Sequence, residues 1–145
     1  MNIQTLIVLT GPTGVGKTAL TLDIAQHYGL EIINADSRQI YKELPIGTAA
    51  PVKEQLNRVK HHFVACKSVS EYYSASLYEQ EVLGLLKANP ASSYILSGGS
   101  MLYIDAVCNG IDDIPTIDDE TRHTLMQRLE TEGLEKLCEL LKELD

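Results

Sequence analysis

Leu6-Ile7-Val8-Leu9, followed after Thr10 by Gly11-Pro12-Thr13-Gly14-Val15-Gly16-Lys17-Thr18, is the stretch that decides the fold. The first four residues are apolar without alternation. That is the pattern of a short parallel strand buried on both faces. The next eight match G-x-x-x-x-G-K-[ST] in full. Thr18 to Tyr28 then reads as a helix, with Ala19, Leu22, Ile24 and Ala25 apolar and Gly29 at a left-handed end. Strand, glycine loop and helix together give the motif its chemistry. Glycines let successive backbone N–H groups converge on a phosphate, and the helix N-terminus adds about half a positive charge. Gly11, Pro12, Thr13, Gly14, Val15, Gly16, Lys17 and Thr18 therefore form a cradle for a di- or triphosphate. Lys17 supplies a mobile cation, and the Thr18 hydroxyl suits a magnesium ion. The motif does not choose among phosphate ligands.

Further strand and helix signals alternate outward from this unit. Ile32-Ile33 is a second strand, closed by Asn34-Ala35-Asp36. Residues 40–51 are irregular, broken by Pro45, Gly47 and Pro51. Val52 to Lys60 suits a short polar helix, and His61 to Cys66 a third extended segment. Ser76 and Glu79 form a capping box for a helix carrying Tyr78, Val82, Leu85 and Leu86 and stopped by Asn89-Pro90. Tyr94-Ile95-Leu96 is another strand, Gly98-Gly99 a turn, and Ser100 to Cys108 a helix. An acidic loop, Asn109 to Asp119, leads to helices Asp119 to Glu130 and Leu134 to Leu144. The last leaves Leu134, Leu137, Leu141 and Leu144 as an apolar face without evident cover. The pattern predicts an α/β fold, a parallel sheet flanked by helices. Residues 1–110 form the core, and 111–145 the acidic loop and following helices.

The 145 residues suit one domain, and 44% hydrophobic with 22% charged residues is ordinary for a globular chain. Collagen-like, low-complexity and disordered classes are excluded. No apolar run nears the roughly 20 residues of a membrane span, and no signal peptide is legible, so no membrane partner is expected. Twelve Lys+Arg against 20 Asp+Glu, a net charge of −8, oppose non-specific nucleic-acid binding. Cys66, Cys108 and Cys138 contain no C-x-x-C pair. They suit a reducing, cytoplasmic compartment with buried or inert thiols. His61-His62 lacks ligand partners at metal-site spacing.

Asp36 follows the second strand. In a doubly wound sheet the carboxyl ends of strands face the ligand crevice, which places Asp36 on the edge of the phosphate loop. There it is a general base, a magnesium ligand, or simply a turn or cap residue. Gly98-Gly99-Ser100 repeats the strand–glycine–helix logic at another strand end.

Six blocks occur in one order. They are the phosphate loop, Ala35-Asp36-Ser37-Arg38-Gln39-Ile40-Tyr41, Ile46-Gly47-Thr48-Ala49-Ala50-Pro51, His61-His62-Phe63, Gly98-Gly99-Ser100-Met101-Leu102-Tyr103 and Ile114-Pro115-Thr116-Ile117-Asp118-Asp119-Glu120-Thr121-Arg122. Over essentially its whole length the chain resembles the tRNA dimethylallyltransferases. The phosphate loop is generic; the D-S-R-Q-I-Y and G-G-S-M-L-Y blocks are the specific part. The resemblance implies a P-loop NTPase-like core that binds dimethylallyl diphosphate where related proteins bind ATP. It implies Mg2+ as cofactor and the tRNA anticodon stem-loop as partner. Asp36 would be the general base on the exocyclic amine of the adenosine 3′ of the anticodon. Lys17 and Thr13 would assist the leaving diphosphate, and the target base would leave its stack. Asp36, Ser37, Arg38, Gln39, Ser100 and Arg122 would contact tRNA.

Ala50 replaces the family's usual lysine, and Ser100 its usual threonine. Such enzymes also run to about twice this length. The chain is thus expected to be an N-terminal portion that stops before a helical tRNA-binding insertion is complete. It is expected to be monomeric, to bind diphosphate weakly and to transfer poorly. The alternatives are a P-loop small-molecule or nucleoside kinase, for which Arg38, Arg58, Arg122 and Arg128 supply no paired lid arginines, or a non-catalytic nucleotide-binding module.

Overall fold

The computed structural model describes residues 4–12, 14–111 and 117–144. The order is β1 (Leu6–Leu9), α1 (Lys17–Tyr28), β2 (Glu31–Asn34), α2 (Lys53–Arg58), β3 (His61–His62), α3 (Ala75–Ala88), β4 (Tyr94–Ser97), α4 (Met101–Asn109), α5 (Asp119–Glu132) and α6 (Leu134–Leu144). Two compact units are present, Met1–Asp112 and Asp113–Asp145. The first holds a four-stranded sheet of order β1-β4-β2-β3, parallel throughout.

Side chains alternate across this sheet, as strand geometry requires. Ile32 and Ile95 face α1, where they pack with Leu22, Ala25 and Val59. Ile33, Tyr94 and Leu96 face the other way, against Ala75, Tyr78 and Val82 of α3 and Tyr103, Ile104 and Ala106 of α4. Tyr78 is fully buried and stacks on Tyr103 with ring centroids 4.5 Å apart. Its hydroxyl donates to the Asn34 carbonyl at 2.9 Å, so its burial strands no polar group. In the second unit, α5 begins at Asp118, whose carboxylate accepts from the Thr121 N–H at 2.6 Å. α5 and α6 bury no residue fully, and Leu134, Leu141 and Leu144 are exposed.

Four expectations are corrected. β1 is an edge strand that pairs with β4 alone among the described residues, so Val8 is 40% exposed rather than buried. α3 is capped by Ser74, whose hydroxyl accepts from the Leu77 N–H at 3.3 Å; Ser76 lies inside the first turn. The extended segment from His61 lasts two residues, because Phe63 and Ala65 adopt left-handed φ values of 61° and 48°. All three cysteines are exposed rather than buried, although desolvation still pushes the Cys66 thiol pKa up.

His61 and His62 point to opposite sides. His62 Nε2 pairs with Glu31 at 2.7 Å, which helps hold the Glu31 carboxyl below its ordinary pKa. His61 Nδ1 donates to the Val59 carbonyl at 2.8 Å, and burial lowers its pKa below the ordinary 6.5. The unfolded chain therefore takes up this proton at a higher pH than the folded one. The contribution is fully present above about pH 6.5 and is lost as pH falls through the folded-state pKa. The urea midpoint of His61→Gln is expected to fall less between pH 7 and 5 than that of the parent. Parallel curves would remove His61 from this role.

Candidate functional site

Leu9, Ser97 and Asn34 lie in register across three strands, so the loops that follow β1, β4 and β2 leave the sheet on one edge. They enclose a pocket of about 320 Å³. The first loop and α1 contribute Gly14, Gly16, Lys17, Thr18 and Thr21. Asn34, Asp36 and Gln39 follow β2, and Ser97, Gly98 and Gly99 end β4. Ile32, Thr48, Ala49, Pro51 and His61 complete the wall. This is a strand-end crevice of the kind open α/β sheets use for ligands.

Gly16 stands at the N-cap of α1 with φ 88° and ψ 12°, a left-handed conformation that a side chain would strain. Among the described residues no side chain caps the helix, and its first turn carries no acid. The open N–H groups and the dipole thus favour an anion. Lys17 Nζ donates to the Pro12 carbonyl of its own loop. A phosphate oxygen, being charged, is the stronger acceptor for it. Gly11, Pro12 and Val15 shape the loop without lining the pocket, and Thr13 lies outside the described residues.

Asp36 lines the same pocket. Its Oδ1 accepts from the N–H groups of Arg38 at 2.9 Å and Gln39 at 3.2 Å, which folds the loop into a tight turn. Among the described residues Oδ2 has no hydrogen-bond partner. The carboxylate adds to the upward push that burial gives the Tyr103 hydroxyl pKa. Gln39 Nε2 donates to the carbonyls of Thr48 at 3.0 Å and Ala49 at 3.3 Å, tying the turn to that part of the pocket wall. The turn is thus both a structural device and a carrier of one uncommitted carboxylate oxygen.

The Gly98-Gly99-Ser100 turn is clasped to this loop. Ala35 N–H donates to the Ser97 carbonyl at 2.9 Å, and Ser100 N–H to the Ala35 carbonyl at 3.0 Å. A Cβ on Gly98 would fall 2.1 Å from the Ala35 carbonyl oxygen and 2.2 Å from its carbon. Backbone cannot yield as a side chain does. Gly98→Ala is expected to cost at least about 3 kcal/mol, the upper end for overpacking. Chemical denaturation checks this, and a loss under about 1 kcal/mol would mean the two loops separate easily.

Residues that the motifs did not single out complete the site. The hydroxyls of Thr21 and Ser97 share a buried hydrogen bond of 2.9 Å beneath the phosphate loop. Thr21 lies one helical turn beyond Thr18, a spacing that identifies the shared face. Thr48, Ala49 and Pro51 come from a segment legible only as irregular. Arg38 is exposed. Arg122 is exposed in the second unit.

Among the described residues no cluster of three His, Cys, Asp or Glu side chains offers a self-contained metal site. The Thr18 hydroxyl at the phosphate loop suits a small hard cation completed by phosphate oxygens and water. Magnesium fits this donor set.

A family model described as IPP transferase matches residues 39–145. The chain is 55% identical over 147 residues to tRNA dimethylallyltransferase 1 of Bacteroides fragilis, covering 100% of this chain and 49% of that one. It is 57% identical to tRNA dimethylallyltransferase 1 of Phocaeicola vulgatus, covering 98% of this chain and 48% of that one. The full-length tRNA isopentenylpyrophosphate transferase of Bacillus halodurans superposes with a TM-score of 0.69 at 30% identity, covering 100% of this chain and 48% of that structure. The fold is therefore the P-loop NTPase-like α/β core expected from the motif. The chain spans about half the length of the curated relatives it matches.

Proposed function

The chain belongs to the IPP transferase family, and from that premise we propose that its protein transfers a dimethylallyl group from dimethylallyl diphosphate to tRNA. The acceptor is the exocyclic amine of the adenosine 3′ of the anticodon. One observation carries this reading: the phosphate loop and Asp36, whose Oδ2 has no hydrogen-bond partner among the described residues, line one pocket whose remaining wall is partly apolar, with Ile32, Ala49 and Pro51. That wall suits a short branched hydrocarbon between the two polar ends.

The step follows from this placement. The amine nitrogen forms a bond to the allylic carbon while the carbon–oxygen bond to diphosphate breaks. Asp36 accepts the proton that the amine loses. Lys17 and the loop N–H groups hold the leaving diphosphate where its charge grows. Thr18 and the ligand's own oxygens would hold Mg2+, which when bound would further neutralise that charge. Thr13 would stand near the leaving oxygen. Asp36, Ser37, Arg38, Gln39 and Arg122 would face the tRNA, and the target base must leave its stack to reach the pocket. We place the protein in the cytoplasm as a monomer. No described helix is long and apolar enough to cross a membrane.

The test is transfer of a labelled prenyl group to an unmodified anticodon stem-loop, with ATP as competitor. Labelled RNA, lost when the adenosine is replaced by guanosine, supports the reading. Tighter binding of ATP than of the prenyl diphosphate would instead favour a kinase or nucleotide-binding module.

A further inference from the structure

We propose that Ser100 is a positioning residue for Asp36. The proposal deepens the transfer reading above and rests on it for its chemical consequence. Its structural content stands on geometry alone. Ser100 Oγ accepts from the Ser37 N–H at 2.8 Å and donates to Ser37 Oγ at 2.9 Å. A serine hydroxyl has one proton to give, and this one is already given within the protein. Both partners are in the residue next to Asp36, 63 positions away in sequence.

The consequence concerns the carboxylate. Asp36 Oδ1 is held by the N–H groups of Arg38 and Gln39. That turn keeps its aim only while the chain on either side of Asp36 is fixed. Ala35 is fixed by the β4 end, through Ser97, Gly98 and the Ser100 N–H. Ser37 is fixed by the Ser100 side chain. One residue thus grips the loop by its N–H on one side of Asp36 and by its hydroxyl on the other. Freeing the hydroxyl leaves the turn anchored at Ala35 and Gln39 but slack between them. Misplacement of a catalytic group by about 1 Å is enough to cost about a hundredfold in rate.

Amide hydrogen exchange by NMR on the parent, Ser100→Ala, Ser100→Thr and Ser100→Val tests this without needing turnover. Threonine and valine differ by the hydroxyl at nearly equal size, so the pair separates hydrogen bonding from packing. The amides of Ser37, Arg38 and Gln39 are expected to exchange about tenfold faster in the alanine and valine variants, the worth of one hydrogen bond. They should stay near the parent rate in the threonine variant, with β4 amides unchanged throughout. Arg38 and Gln39 amides that keep the parent rate in both Ser100→Ala and Ser100→Val would overturn the proposal. In transfer assays kcat should fall with an unchanged KM for the stem-loop. A raised KM with unchanged kcat would make the hydroxyl a nucleic-acid contact and would also overturn it. Absence of transfer by the full-length protein would count against the proposed function while leaving the exchange result decisive for the clamp.

Discussion

Asp36→Asn is expected to slow prenyl transfer by about 10²- to 10⁴-fold, the range for removing a general base, while diphosphate affinity stays within about twofold. The substitution keeps Oδ1 as a carbonyl acceptor, so the N–H groups of Arg38 and Gln39 retain a partner and the turn survives. What is lost is the uncommitted oxygen that takes up a proton. Single-turnover transfer and a separate diphosphate titration check the two halves of this expectation. Proportional loss of both quantities would make Asp36 a metal ligand instead of a base.

Lys17→Ala is expected to act on the other end of the reaction. Hydrogen bonds to charged groups contribute about 1.5–3 kcal/mol, so diphosphate affinity should fall by about 10- to 150-fold. The loop itself should persist. Its shape rests on glycine conformations such as that of Gly16, and among the described residues the one partner Lys17 loses is the Pro12 carbonyl. Arginine should not restore the parent affinity, because its planar fork does not reproduce a compact ammonium. Calorimetric titration at two salt concentrations checks this. An unchanged affinity would place the diphosphate away from the loop.

The phosphate loop was legible in the sequence because everything it needs is local: a short apolar run, glycines at fixed offsets, a lysine and a helix. The position of Asp36 was legible because strand ends share an edge in a parallel sheet. Its bonding was not, because Asp36 also makes the turn hydrogen bonds expected of any aspartate there. The demand for Gly98 was hidden for a different reason. A glycine turn reads the same whether its missing side chain faces solvent or the Ala35 peptide. Val8 was misjudged because a strand's own residues do not say how many neighbours it has. His61 and the Thr48–Pro51 wall reach the pocket only through tertiary packing, and no periodicity marks them. Phe63 interrupts the third strand through a left-handed backbone that its residue type does not announce. The choice of Ser74 over Ser76 as the cap lay between two serines of equal local promise.

The central claim is that the phosphate loop and the Asp36 turn are two ends of one prenyl-diphosphate site. NMR titration of the isotopically labelled chain with dimethylallyl diphosphate, inorganic diphosphate and ATP, each with magnesium, tests it most directly. Inorganic diphosphate should shift Gly14 to Thr18 alone. Dimethylallyl diphosphate should shift these together with Ile32, Ala49 and the Asp36 to Gln39 amides, and should outcompete ATP. Identical shift patterns from the prenyl and inorganic diphosphates, or displacement of the prenyl compound by equimolar ATP, would contradict the account.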